Sequence, residues 1–399
     1  MKRYKVVTGV LLAGLLIAAL GCNETHAQKK KAMVDQWEQS TANAQLPAVE
    51  NMIEQGQIKE AKKTLIECIQ ADPKMPQAFV LIGRIHAIEG RNDKAREAFE
   101  KAVKLDSESD SGWHFLATLA VLEKDYAQAT EYYQKAIDLM PAKVDYIIGL
   151  SEVYAETDQF DKAQAVIDAG LSRRPQDLEL MLSKARLCQQ VGQTDEAIGV
   201  YEQAQIMHGD SPQVLEPAGY AYIAQGNWKL AAEKFDLLIK QYPENDPHYN
   251  ITMRSLARCL YHSNQYASAL FWYDKLSVVY RDDAGIWLDM AQAALGLDDA
   301  KRAAYCANRA IKVKPSWPQA YAVLGSAHYM QGSYNQSLKA FYKITTDDEL
   351  AGFAWFMSGR CYQQLGRNRQ ANIAFERAEK LDPDNPLIAS FSKKTVHPL

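Results

Sequence analysis

Apolar positions along this chain follow a helical period, and one short pattern keeps returning. A small residue followed four positions later by a large apolar one occurs as Ala61/Leu65, Ala95/Phe99, Ala129/Tyr133, Ala163/Ile167, Ala197/Tyr201, Ala231/Phe235, Ala269/Tyr273, Ser337/Phe341 and Ala371/Phe375. Ala303/Ala307 keeps the small residue and loses the large one. A spacing of four puts both members on one face of a helix. The small residue lets a second helix approach, and the large one fills the space beside it. Upstream, Gly83, Gly219, Gly325 and Gly359 share another phase, where a side chain would block the paired helix.

Prolines and glycines supply the period. Pro141 and Pro175 stand 34 residues apart, and Pro73 to Pro141, Pro175 to Pro243 and Pro315 to Pro383 are each 68. Gly56 to Gly90, Gly192 to Gly226 and Gly332 to Gly366 are each 34. Proline ends a helix and glycine marks a turn, so the predicted unit is a pair of helices. Ten such units are drawn at 42–75, 76–109, 110–143, 144–177, 178–211, 212–245, 250–283, 284–317, 318–351 and 352–385. Only Pro243 to Pro315 departs from the series, at 72 residues. The surplus is Asp246–Tyr249, an inter-repeat insertion expected to rotate or hinge repeats 7–10 (250–385) against repeats 1–6 (42–245).

In this register Gly359, Tyr362, Gly366, Ala371, Phe375 and Pro383, and likewise Leu324-Gly325 with Gly332, fall where the tetratricopeptide repeat has its signature residues. The chain resembles that family. Trp113, Trp287 and Trp355 occupy the family's tryptophan position. The resemblance implies an all-α, right-handed superhelical solenoid of about ten helix pairs, with the first helix of each pair lining a concave groove. Beyond repeat ten, residues 386–399 form a C-terminal tail. Two readings of it stand open: Leu387, Ile388 and Phe391 cover the last core as one short turn, or the tail frays.

The first residues read as an export signal. Lys2, Arg3 and Lys5 precede an uncharged run from Val6 to Leu20, too short to span a bilayer. Residues 1–21 are thus expected to be a signal peptide. Ala19-Leu20-Gly21-Cys22 resembles a bacterial lipobox with its first two residues exchanged, which implies acylation of Cys22. Thr25-His26-Ala27 offers a rival cleavage site that would release a soluble periplasmic or secreted chain. In the lipidated case the protein faces the periplasm, and Asn23 after the cysteine favours the outer over the inner membrane. Residues 22–41 are expected to be an anchor and polar linker, with Lys29, Lys30 and Lys31 near the membrane. Met33, Val34 and Trp37 have helical spacing and are expected to begin a helix covering the open face of repeat one.

Composition narrows the function. A net charge of −4 with no basic domain gives no case for nucleic acid. Cys68, Cys188, Cys259, Cys306 and Cys361 are widely spaced and expected to be buried thiols. His86 and His328 fall at a packing position, and none of the eight histidines has metal-ligand spacing. No nucleophile or phosphate-loop motif occurs and no span remains for a catalytic domain. The expectation is a binding protein: not an enzyme, with no cofactor, no metal and no catalytic residues.

The family resemblance places positions 2, 5, 9, 12 and 13 of each first helix in the groove. Position 9 carries Arg84, Arg186, Tyr220, Arg258 and Arg360; position 12 adds Tyr261 and Tyr329. Repeats five and ten share Arg-x-x-Gln-Gln-x-Gly from Arg186 and from Arg360. Arginine forks suit carboxylates and backbone carbonyls, and tyrosine adds contact area with a polar tip. The favoured reading is a scaffold holding protein partners, similar to membrane-tethered repeat lipoproteins that assist pilus, secretion or outer-membrane assembly. The alternative is a scaffold of exopolysaccharide export, with groove aromatics against sugar.

Overall fold

The computed structural model describes residues 26–385 and Ile388. Cys22 and the apolar run before it lie outside the described residues, as do Leu387 and Phe391. Twenty α-helices occur among the described residues, with no strand. They pair as α1 (His26–Glu54) with α2 (Ile58–Ala71), α3 (Pro76–Ile88) with α4 (Asn92–Leu105), α5 (Asp110–Leu122) with α6 (Tyr126–Leu139), and α7 (Val144–Glu156) with α8 (Phe160–Arg173). The series continues as α9 (Leu178–Gln190) with α10 (Thr194–His208), α11 (Pro212–Gln225) with α12 (Trp228–Ile239), and α13 (Pro247–His262) with α14 (Tyr266–Val279). It ends with α15 (Ala284–Gly296) and α16 (Ala300–Val313), α17 (Pro318–Met330) and α18 (Tyr334–Phe341), then α19 (Ala351–Gln364) and α20 (Asn368–Leu381). Each pair overlaps one of the ten units drawn from the sequence, with α1 beginning ahead of 42 and α13 ahead of 250.

The chain divides into two compact units, residues 1–175 and 176–399. The first holds α1 to α8 and the second α9 to α20. In both, the small/large pairs face the core: Ala95 and Phe99, Ala231 and Phe235, and Ala371 and Phe375 are all buried. Ser337 takes the alanine position at no cost, because its hydroxyl donates to the Gly325 carbonyl at 2.7 Å. The phased glycines are close-approach sites, since a Cβ on Gly359 would lie 2.6 Å from the Phe375 ring.

The turn within each pair is built one way in all ten. Position 15 carries a positive φ: glycine at 56, 90, 192, 226, 332 and 366, and Lys124, Asp158, Asn264 and Asp298 in the other four repeats. A left-handed residue reverses the chain after the first helix, and the amide after it closes the turn, as from Arg91 to the His86 carbonyl at 2.8 Å. The tryptophan position has a comparable local purpose. Trp113 Nε1 donates to the Ser107 carbonyl at 2.9 Å and Trp287 Nε1 to that of Arg281 at 2.8 Å, each locking the turn that enters its repeat.

Three expectations need correction. The stretch expected as a polar linker is helical from His26 onward, because no glycine or proline interrupts it before Pro47. Its apolar residues do not cover repeat one: Met33, Val34 and Trp37 are 56%, 44% and 66% exposed, and core contacts of α1 begin only at Ala42. The insertion at Asp246–Tyr249 makes no hinge loop. Asp246 caps α13 by accepting the His248 amide at 2.8 Å, Pro247 opens the helix, and the extra residues become its first turn. One core cluster runs past this point, from Ala185 to Ala340.

At the C-terminus, Ile388 is buried against the last core with Phe375 and Ala378. The five cysteines are buried thiols. Burial raises the pKa of Cys68, Cys259, Cys306 and Cys361, to about 12 for Cys259 and about 11 for Cys306.

Candidate partner-binding surface

In the first unit the first helices of repeats one to four touch in series, and every residue expected in the groove belongs to a first helix. In the first unit this face holds a cavity of about 400 Å³. Arg84 on α3 donates to Glu50 on α1 at 2.8 Å, and its guanidinium lies 5.5 Å from the centroid of Phe115 on α5. Phe115 stacks on Phe99 behind it at 5.3 Å. His114 stacks on Tyr146 of α7 at 4.7 Å, and the Tyr146 phenol donates to Asp110 at 2.6 Å. Lys143 and Asp145 complete the wall.

The electrostatics of this cavity follow from burial. Desolvation lowers the His114 pKa, so the ring is neutral near pH 7. Its buried Nδ1 has no hydrogen-bond partner. Burial also raises the Tyr146 phenol, with the Asp110 carboxylate adding to the effect, so it stays a donor. An aromatic floor with cations at its edge suits one apolar side chain of an extended or helical segment, with a carboxylate or carbonyl against Arg84 or Lys143.

In the second unit the expected residues divide. Arg186 on α9 and Arg258 on α13 are exposed. Tyr220 on α11 is 42% exposed, packs edge-on against Phe235, and its hydroxyl lies 3.3 Å from that of Ser255 on the next first helix. Tyr261 is half-buried, packed against His262 and Tyr266. Arg360 on α19 donates to the Tyr329 hydroxyl on α17 at 3.1 Å, so these two act as a couple across repeats. Arg186 and Arg258 thus present exposed side chains, while Arg84 and Arg360 are engaged by neighbours.

Two features escaped the sequence reading. The cavity residues His114, Phe115, Lys143 and Tyr146 fall at different repeat positions, so no single phase reveals them. The other is Asp289 on α15, whose carboxyl is held beside Tyr273 and near Arg258. Burial pushes its pKa up to about 6, against the opposing pull of Tyr273, Arg258 and Arg254. A further cavity of about 640 Å³ adjoins Phe353, Phe356, Met357 and Arg360. It exists because α18 is only eight residues long and gives way to a 3-10 turn at Tyr342–Ile344 and a loop.

Comparison with known proteins agrees with this architecture. Tetratricopeptide repeat profiles match residues 53–110, 90–144, 120–187, 189–246, 217–277, 288–352 and 352–385. The chain belongs to the tetratricopeptide repeat family. It is 23% identical to the TPR repeat-containing protein YpiA of Bacillus subtilis, over 74% of this chain and 68% of that protein. It is 24% identical to anaphase-promoting complex subunit 3 of Schizosaccharomyces pombe, and spans 28% of that relative's length, with 48% of its own residues aligned. Cellulose synthase operon protein C of Xanthomonas axonopodis pv. citri is 24% identical over 48% of this chain and 13% of that protein. Among solved structures, Pseudomonas aeruginosa pilF is similar at a TM-score of 0.45 and 18% identity, over 54% of this chain and 97% of that one.

Proposed function

We propose that this protein is a non-catalytic scaffold tethered to the bacterial envelope, which holds protein partners on the first-helix faces of its repeats. The observation that carries the reading is the cavity of about 400 Å³ on the first helices of repeats one to four, with its aromatic floor and its cations. Arg84, Phe115 and Lys143 bind there; Arg186, Tyr220, Arg258, Tyr261, Tyr329 and Arg360 contact partners along the second unit. Aromatics and arginines dominate interface energetics. Acylation of Cys22 supplies the tether and places the repeats in the periplasm, with the outer membrane favoured. The second reading, a scaffold of exopolysaccharide export, is favoured by the similarity to cellulose synthase operon protein C and by the groove tyrosines.

Partner capture from solubilised membranes, read by mass spectrometry, tests the scaffold. Phe115→Ala with Lys143→Glu is expected to lose the main partner while the fold stays intact. Arg258→Glu with Tyr261→Ala weakens capture, and Lys229→Glu on the second helix α12 with Lys240→Glu at its C-cap leaves it unchanged. Capture lost only in the α12 variant places the partner on the outer face and rejects the reading. Intact mass tests the tether separately: a lipid adduct beginning at Cys22 is expected, against an unmodified chain beginning at Gln28.

A further inference from the structure

The half of α1 that precedes the repeats is amphipathic in its own right. Residues 26–41 project ahead of the core contacts, which begin at Ala42 and continue through Val49 and Ile53. Lys30, Met33, Val34 and Trp37 are spaced i, i+3, i+4 and i+7, so they share one face, and Lys29 lies one turn before Met33 on the same side. All five are exposed, Trp37 at 66%. Asp35, two positions from Met33, falls on the opposite side. Lys29 and Lys30 stand at one edge of the apolar stripe, Glu38 lies one turn after Val34 at the other, and Asp35 points away from it.

We propose that this face of α1 lies flat on an anionic lipid bilayer. Tryptophan, with an apolar body and one N–H donor, favours the headgroup boundary. Lysine stems bury along the stripe while their ammonium groups reach lipid phosphates. No described helix is long and apolar enough to cross a membrane, and the lysines and tryptophan between residues 29 and 37 are residue types that hold a helix on one. The chain before the helix points to the same surface. In the envelope reading Cys22, the proposed site of acylation, stands four positions before His26. The inference rests on the envelope reading only for which membrane the protein meets.

The test uses the unlipidated chain from Asn23 onward, which keeps every described residue. Flotation at low salt is compared for phosphatidylcholine vesicles with and without phosphatidylglycerol. Binding is expected to the anionic vesicles and to fall as salt rises. Lys29→Gln with Lys30→Gln is expected to weaken binding about 25-fold, at about fivefold per lysine. Met33→Ser with Trp37→Ser is expected to weaken it at least about tenfold, and Asp35→Asn leaves it no weaker. Because these side chains are exposed, helicity and melting should match wild type in each variant. Absence of wild-type binding to anionic vesicles overturns the proposal, as does unchanged binding by both double variants. A solution dimer that Trp37→Ser dissociates would also overturn it, because the face would then belong to a second copy. Lack of a lipid adduct in the native mass would remove the tether and leave the vesicle result standing.

Discussion

At Gly83 an added Cβ would sit 2.4 Å from the Phe99 ring, which is buried and has nowhere to go. Alanine is the better helix former by about 1 kcal/mol, yet overpacking costs more. Gly83→Ala is therefore expected to destabilise by about 1–3 kcal/mol in urea denaturation. Gly199, inside α10, meets nothing within 4 Å, so Gly199→Ala should stabilise by about 0.5–1 kcal/mol. Shifts of the same sign in both variants would refute the packing account. Asp289 makes a pH-dependent case. Its folded pKa of about 6 lies above the ordinary 3.8, so folding favours the neutral acid. The stability it lends is complete below the unfolded pKa and is lost as pH rises through about 6. Asparagine mimics the neutral acid at every pH. Asp289→Asn is expected to stabilise by about 1–3 kcal/mol above pH 7 and by little near pH 4. Equal effects at both pH values would show that burial of charge is not the cause.

At the scale of the helix pair, the position-15 turn is used ten times with two kinds of residue. Glycine adopts a left-handed φ freely, whereas a residue with a Cβ adopts it at a cost of about 1 kcal/mol or more. Lys124 does so at φ 62° with no short polar side chain to compensate. Lys124→Gly is expected to stabilise by about 0.5 kcal/mol, after the greater entropy of glycine in the unfolded chain is deducted. Asn264→Gly, where asparagine already tolerates this region, should give less; thermal melts of both variants check the order. Such turns explain why the pairs were legible in the sequence: proline, glycine and the alanine/aromatic spacing each act within one hairpin. What escaped depends on contacts between hairpins or lies ahead of the first repeat. The cavity at Arg84 draws on four first helices, and Asp289 owes its environment to Tyr273 in the preceding repeat. In residues 26–41 the expected helix began only at Met33, because charge and polarity hid that the stretch before it has no breaker. Asp246–Tyr249 read as a jog because a period counts residues, and an N-cap with proline behind it turns a surplus into helix.

Across the molecule, the two units bury their apolar residues in different patterns. Within residues 1–175 the core falls into three separate clusters, around Leu65, Phe99 and Tyr133. Within residues 176–399 one cluster runs from Ala185 to Ala340, and a second surrounds Phe375. In repeat arrays each helix pair stabilises only its neighbours, so local stability follows the continuity of the core. Opening free energies then differ along the chain, and the lowest belong to segments with few shared apolar contacts. Two unfolding steps are expected in urea, with residues 1–175 opening first and the slowest amide exchange between Ala185 and Ala340. Ala231→Trp separates the steps, because that alanine is fully buried against Phe235 inside the long cluster. Overpacking there should lower the second midpoint and leave the first unchanged. Exchange measured by mass spectrometry, peptide by peptide, reads both units in one experiment. A single transition that Ala231→Trp moves as a whole would show that the units unfold as one cooperative body, whatever the gaps in the core of the first.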